Sequence, residues 1–280
     1  MMESEQVEAV AQPYLMCPVC REALLLQEKT WQCAQKHSFD VAKQGYVNLH
    51  VVQHKHSKTP GDTPESVTAR RAFLSEGYYS PLKEAITACV EKYSVKYLLD
   101  IGCGEGYYTS AMQASTDVCV GVDISKSAVQ RAAKTNANVT WIVGTGAILP
   151  VLDASMDMCT TVFSPIPTSE ILRVLKPEGY CLVAVAAPEH LYTVREALFG
   201  EVNLHDPEKI EKQLQNEFDL VAQQRIDAPL TLDQTALKNL VAMTPYAYKA
   251  KLERREQLES RQSFEATASF QLYIFKKKAV

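Results

Sequence analysis

Cys17 and Cys20 flank two residues, Cys33 follows after twelve more, and His37 after a further three. Three thiolates and one imidazole at this spacing make a tetrahedral zinc-ligand set, and four protein donors close the coordination shell. A closed shell leaves no position for water. The expected metal is therefore a structural Zn2+, stabilising a segment of about forty residues that is too short to bury a sufficient core alone. A redox pair would need only the first Cys-x-x-Cys, and DNA-reading fingers with two Cys and two His usually work in tandem. The other five cysteines, Cys89, Cys103, Cys119, Cys159 and Cys181, are scattered singly through apolar segments, where a thiol packs as a small hydrophobe.

The chain has room for one large domain beside this module. Its 280 residues, 46% hydrophobic and 22% charged, describe a folded protein rather than a disordered or fibrous one. With 29 Lys and Arg against 33 Asp and Glu, it does not hold nucleic acid by being basic throughout. The average hides a division, because residues 13–72 carry eight Lys and Arg and five Asp and Glu, a local +3 that leaves −7 elsewhere. Residues 41–58 hold Lys43, Lys55, Lys58, His50, His54 and His56, with Tyr46 among them and no acidic residue, which makes a candidate phosphate-binding surface. The most apolar run, Tyr180 to Ala187, is too short to span a bilayer. The opening Met-Met-Glu-Ser-Glu-Gln has neither the basic start nor the apolar stretch of an export signal, so a cytoplasmic location without membrane is expected.

Thr59-Pro60-Gly61-Asp62-Thr63-Pro64 is a dense cluster of turn formers and marks a linker. Thr63 is placed to cap a helix opening on Pro64, and Ser80 with Pro81 repeats the signal. From Lys96 onward, strands expected over 96–101, 118–123, 139–143, 156–163 and 179–187 alternate with helical segments. That rhythm implies parallel βαβ units. Ser125 is a cap for the next helix, and Gly179 stops the segment Leu175 to Glu178 before a new strand. Two later strands, 217–226 and 263–275, flank a helix over 232–243.

Leu98-Leu99-Asp100-Ile101-Gly102-Cys103-Gly104-Glu105-Gly106 places an apolar strand, a carboxylate and three alternate glycines directly before a helix. A dinucleotide fold needs its third glycine three positions after the second, where this chain has Tyr107, so the nicotinamide or flavin fingerprint fails. Gly-x-Gly-x-Gly after an acidic residue instead resembles motif I of class I S-adenosylmethionine-dependent methyltransferases. Backbone without side chains approaches the methionine and ribose portion closely there. Asp123, seventeen residues beyond Gly106 at the end of the second strand, is placed to accept from the ribose hydroxyls, and Asp100 to face the cofactor's ammonium group. Gly144-Thr145-Gly146-Ala147 is a candidate adenine wall, and Phe163-Ser164-Pro165 opens on the substrate side.

The Cys3His module, Phe39-Asp40-Val41-Ala42-Lys43-Gln44-Gly45-Tyr46-Val47-Asn48-Leu49, Gln53-His54-Lys55, Gly61-Asp62, Ala69-Arg70-Arg71-Ala72-Phe73-Leu74 and the run from Asp100 to Tyr108 occur in one order. Together with Leu175-Lys176-Pro177 and Met243-Thr244-Pro245-Tyr246, they resemble the bacterial 23S rRNA (guanine-N1)-methyltransferases of the RlmA family from Cys17 to about Phe275. The resemblance implies zinc ligands at Cys17, Cys20, Cys33 and His37, and cofactor contacts at Tyr79, Gly104, Glu105 and His190, which join Asp100, Gly102, Gly106 and Asp123 from motif I. It further implies a 23S rRNA hairpin as substrate and a homodimer. Ser164-Pro165-Ile166-Pro167 departs from the enterobacterial form, and the family contains branches that modify neighbouring guanines.

The expected architecture is α/β: a class I methyltransferase, Rossmann-like with a mostly parallel seven-stranded sheet, carrying a small N-terminal zinc-binding module. Its divisions are a flexible N-terminus over 1–12, a zinc-binding RNA-recognition module over 13–50, a linker and helix over 51–79, and the methyltransferase domain over 80–280. The expected reaction is an in-line displacement on guanine N1, whose proton must leave. No residue in the sequence identifies itself as that base. Phe163 or Tyr246 would stack on a flipped guanine. The competing readings are a class I methyltransferase acting on a small molecule, which leaves the zinc module unexplained, and a catalytically inert RNA-binding protein, which the intact glycine loop and Asp123 disfavour.

Overall fold

In a computed structural model the described residues are 13–51, 63–206 and 208–279. The expected flexible N-terminus, most of the linker, and His54, Lys55, His56 and Lys58 of the basic run lie outside them.

The zinc-ligand segment folds as a four-stranded antiparallel sheet of Leu15–Met16 (β1), Ala23–Gln27 (β2), Thr30–Gln32 (β3) and Ser38–Asp40 (β4), in that spatial order. It docks on the larger layer through the Met16 N–H to the Pro150 carbonyl and the Leu152 N–H to that of Tyr14.

The large sheet contains Tyr46–Asn48 (β5), Tyr97–Ile101 (β6), Val118–Asp123 (β7), Thr140–Val143 (β8), Met156–Val162 (β9), Leu175–Ala186 (β10), Phe218–Asp233 (β11) and Ser263–Lys277 (β12). Its order is β11-β12-β10-β9-β6-β7-β8-β5, with β12 antiparallel to both neighbours and the other pairings parallel. There are eight strands rather than the expected seven. The addition is β5, which pairs Tyr46 with Trp141 and Val47 with Ile142 and covers the edge of β8. Residues 13–50, expected as one module, are thus shared between two sheets. Tyr46 is buried, and its hydroxyl accepts from Gln130 Nε2 at 3.2 Å, so it is a packing residue and not part of a phosphate-binding surface.

Leu98 enters one apolar core and Leu99 the other, as side-chain alternation along a strand buried on both faces requires. The Leu98 face is covered by Pro64–Ser75 (α1), Ser80–Lys92 (α2), Tyr107–Met112 (α3), Lys126–Thr135 (α4), Tyr192–Phe199 (α6) and Gln234–Ala242 (α8). The Leu99 face is covered by the zinc-ligand sheet, Thr168–Val174 (α5) and Glu208–Leu214 (α7). Tyr246–Lys249 (α9) and Leu252–Glu259 (α10) complete the helices. Cys103, Cys119, Cys159 and Cys181 are buried as expected, whereas Cys89 is half-buried on α2. Thr63 caps α1 and Ser125 caps α4 through their side chains. At the second expected cap the structure differs. Ser80 is already helical, the capping position is Tyr79, and the Ser80 hydroxyl donates to the Gly77 carbonyl at 2.7 Å. Strand β11 runs on to Asp233, which itself caps α8, so the expected start of that helix at Leu232 belongs to the strand. Among the described residues no helix is long and apolar enough to cross a membrane.

Candidate functional site

The zinc ligands sit on two tight turns. The Arg21 N–H returns to the Cys17 carbonyl and the Lys36 N–H to that of Cys33, and both Arg21 and Lys36 take a left-handed φ. These turns bring the donor atoms of Cys17, Cys20, Cys33 and His37 within 4.8 Å of one another. His37 Nδ1 lies 3.7 Å from Cys17 Sγ and 3.4 Å from Cys33 Sγ, and Cys20 Sγ lies 3.5 Å from Cys33 Sγ. Bond lengths of about 2.0–2.3 Å to a central zinc place tetrahedral donors at about this mutual separation, so the four residues fit the ion.

The glycine loop leaves the carboxyl end of β6 at the centre of the large sheet. Gly102 packs against Ser164, whose hydroxyl donates to the Ile101 carbonyl at 2.6 Å and ties the loop after β9 to the glycine loop. Gly104 has φ +54°, and nothing stands within 4 Å of the position a Cβ would take. Its N–H donates to Asp123 Oδ2 at 2.9 Å, while Asp123 Oδ1 accepts from the Ser125 N–H at 2.7 Å. Asp123 therefore shapes the loop that it borders. Gly144 lies beside it, donating its N–H to the Asp123 carbonyl at 3.0 Å.

Asp100, expected to face the cofactor's ammonium group, stands behind the loop with its carboxylate oxygens already engaged. It is buried, Thr109 Oγ1 donates to one carboxylate oxygen at 2.5 Å, and Thr160 Oγ1 donates to the other at 2.8 Å. Burial pushes its carboxyl up to about 6, against the pull of both hydroxyls. The residue ties β6 to α3 and β9 from behind the loop. Glu105 lies on the open side with one carboxylate oxygen buried and without a hydrogen-bond partner. Burial pushes its pKa up, against Arg71, Arg70 and Arg131 around it.

Tyr79 and His190, far apart in sequence, meet here with ring centroids 6.4 Å apart. Tyr79 is buried at the start of α2, edge-on to Phe73 at 5.3 Å and to Phe270 at 4.8 Å. His190 is 7% exposed in the turn before α6. Its Nδ1 lies 2.8 Å from the Ser269 carbonyl, so this nitrogen carries the proton and Nε2 is an acceptor. Burial lowers its pKa to about 4, keeping the ring neutral. Phe163, at the end of β9, is 47% exposed with φ +55°, and its ring centroid lies 5.7 Å from that of Phe270.

Other residues at this site carry no motif. The Tyr107 and Tyr108 hydroxyls on α3 are buried without partners, as are His205 Nε2 and Arg195 Nε beyond His190. Only the position of the tyrosines directly after the glycine loop marks them in the sequence. Unpartnered buried polar atoms, Glu105 Oε2 among them, beside an open glycine fit a polar ligand with a backbone-hugging portion, as S-adenosylmethionine has.

Comparison with known proteins covers both parts of the chain. A zinc-ribbon family model described as RlmA, N-terminal, matches residues 15–58, and one described as Methyltransferase domain matches residues 98–179. The 23S rRNA (guanine(748)-N(1))-methyltransferase of Streptomyces fradiae is 34% identical over 243 residues, covering 84% of this chain and 86% of the relative. A putative 23S rRNA (guanine-N(1)-)-methyltransferase of Bacillus subtilis, YxjB, is 27% identical over 276 residues, covering 92% and 95%. Among solved structures, the YcgJ protein of Bacillus subtilis has a TM-score of 0.50 at 20% identity, covering 70% of this chain and all of that one, which speaks to the fold alone.

Proposed function

The chain belongs to the family of 23S rRNA (guanine-N1)-methyltransferases, and from that premise we propose that it methylates N1 of a guanine in a hairpin loop of 23S rRNA. The observation that carries the proposal is Gly104, open on its free side and flanked by Asp123 and the unpartnered Glu105 carboxylate oxygen. S-adenosylmethionine, when bound, supplies a methyl group on a positively charged sulfur. The Gly102, Gly104 and Gly106 backbone, Glu105, Asp123, Tyr79 and His190 are the proposed contacts. We assign Asp100 the role of bracing α3 and β9 behind them. Zn2+ on Cys17, Cys20, Cys33 and His37 has a structural role, since the protein fills all four positions.

The acceptor side lies beyond the ends of β9 and β10, where Phe163 offers an exposed face on which a flipped base stacks. Lys43 is exposed next to β5 and is the described member of the basic run best placed for phosphate contact. The guanine to map first is the one named for the Streptomyces fradiae relative, position 748. Acting on rRNA, the protein works in the cytoplasm. We also propose a homodimer through the zinc-ligand sheet, where Val19, Leu25 and Leu26 are more than half exposed; sedimentation of wild type against a Leu25→Glu, Leu26→Glu variant tests it, and an unchanged mass contradicts it.

A methyl group on N1 blocks the Watson–Crick edge, so reverse transcription stops at the modified guanine. In rRNA from a strain lacking the gene the stop disappears, and restoring the gene returns it. A stop that persists without the gene overturns the proposal. Titration with S-adenosylhomocysteine separates the alternatives: no binding favours an inert RNA-binding protein, and binding with turnover of a metabolite but not rRNA favours a small-molecule enzyme.

A further inference from the structure

Beyond the residues already placed, a second histidine stands next to His190. His205 lies in the loop between α6 and α7, where Asn203, Leu204 and Asp206 around it are exposed. The loop is nonetheless fixed. Arg195, 5% exposed on α6, donates from one terminal nitrogen to the Asn203 carbonyl and from the other to that of Pro188, each at 2.9 Å. The His205 N–H donates to the same Pro188 carbonyl at 3.2 Å. The clamp turns the imidazole inward, with its centroid 6.4 Å from that of His190. His190 in turn lies 5.1 Å from Phe270, which contacts the exposed Phe163, so a line of rings joins the end of β9 to His205.

His205 Nε2 is buried and has no hydrogen-bond partner. A buried polar atom left unpaired costs about 1–3 kcal/mol, which a protein retains where a ligand supplies the missing partner. The residue as a whole is only half-buried, so it is not enclosed as His190 is. Among the described residues, the other candidate bases at the site are engaged elsewhere. Asp100 is enclosed by two threonine hydroxyls, Asp123 holds two backbone N–H groups, Glu105 faces three arginines at the glycine loop, and His190 is enclosed.

We infer that His205 is the proton acceptor for the guanine, taking the N1 hydrogen on Nε2 as the methyl group arrives. This rests on the reading of the chain as a guanine-N1 methyltransferase. The N1–H bond breaks with its electron pair left on nitrogen, and the proton passes to His205 Nε2. That pair forms the new N1–methyl bond as the methyl–sulfur bond breaks and its electrons return to sulfur. The imidazolium then gives its proton to water. Burial, with Arg195 behind it, holds the imidazole below its usual pKa and therefore unprotonated near neutrality, ready to accept. The groups that face it are Arg195 and His190; the adjacent Asp206 is directed to Lys209, 4.0 Å away.

The test is a single-turnover assay with full-length protein in excess over an undermodified 23S rRNA fragment and labelled S-adenosylmethionine, across pH 6–9, for wild type, His205→Gln and His205→Ala with and without imidazole. The glutamine variant is expected to lose about 10²- to 10⁴-fold in rate, with S-adenosylhomocysteine affinity held within about twofold. Its residual rate rises in proportion to hydroxide while the wild type stays flat above neutrality, and imidazole restores part of the alanine variant's rate. A glutamine variant within about threefold of wild type with the same pH profile overturns the assignment, as does a rate loss matched by lost cofactor affinity without imidazole rescue. A wild-type arm that makes no N1-methylguanosine overturns the reading beneath it as well.

Discussion

A side-chain carbon on Gly106 would stand 2.4 Å from the ring of Trp141, whose indole N–H is itself fixed on the Asn136 carbonyl at 2.7 Å. The helix that follows the glycine loop therefore starts directly on a locked tryptophan of β8, two strands away from β6, and the loop's shape is set by packing as much as by its own residues.

Gly106→Ala is accordingly expected to cost about 2–4 kcal/mol, combining overpacking against a side chain that cannot yield with a left-handed φ. Gly104→Ala carries the φ penalty of about 1 kcal/mol but meets no neighbour in the protein, so it folds and instead obstructs the cofactor. Urea denaturation and calorimetry with S-adenosylhomocysteine check the pair. The second variant binds at least about tenfold more weakly than wild type, and unchanged affinity there would remove the glycine loop from the cofactor site.

Zinc removal separates the two sheets' dependence on metal. Elemental analysis of the purified protein is expected to give one zinc per chain, abolished in Cys33→Ser. Chelation exposes Trp31, which is buried beside Cys33, and shifts its emission to the red. Cofactor affinity stays within about twofold while RNA affinity falls. Equal loss of both would mean that β5 transmits unfolding of the zinc-ligand sheet into the catalytic layer.

Acid destabilisation has a predictable source in His190. Its folded pKa of about 4 lies below the ordinary 6.5, so between these values the folded chain holds fewer protons than the unfolded one. Stability therefore rises with pH across that window and is lost as pH falls through it, by up to about 3 kcal/mol. Urea midpoints of wild type and His190→Gln from pH 4 to 7 test this, and parallel curves would show that the ring is not buried neutral.

Features defined by short spacing were legible without coordinates. The Cys/His set, the alternate glycines and Asp123 each lie within a stretch whose local geometry needs those residue types, and the five parallel strands carry their own apolar runs. Contacts across the fold were not legible. Three residues of β5 have no pattern of their own and become a strand only through Trp141 and Ile142, nearly a hundred positions away. Asp100 reads as a carboxylate facing the cofactor's ammonium group, and its tie to Thr160, sixty residues later, has no sign in the local sequence. Ser80 reads as a cap because proline suits either of the first two helical positions, and the Gly77 contact decides between them. His205 is a lone histidine in a polar loop, and long-range contacts, the Arg195 clamp and the Pro188 carbonyl, bring it beside His190.

The most direct measurement incubates the purified protein with methyl-labelled S-adenosylmethionine and 23S rRNA from cells lacking the enzyme, then digests the RNA to nucleosides for mass spectrometry. The label is expected in N1-methylguanosine, located at a single guanine of a hairpin loop. Label in another nucleoside, in a small metabolite, or in no RNA product would contradict it.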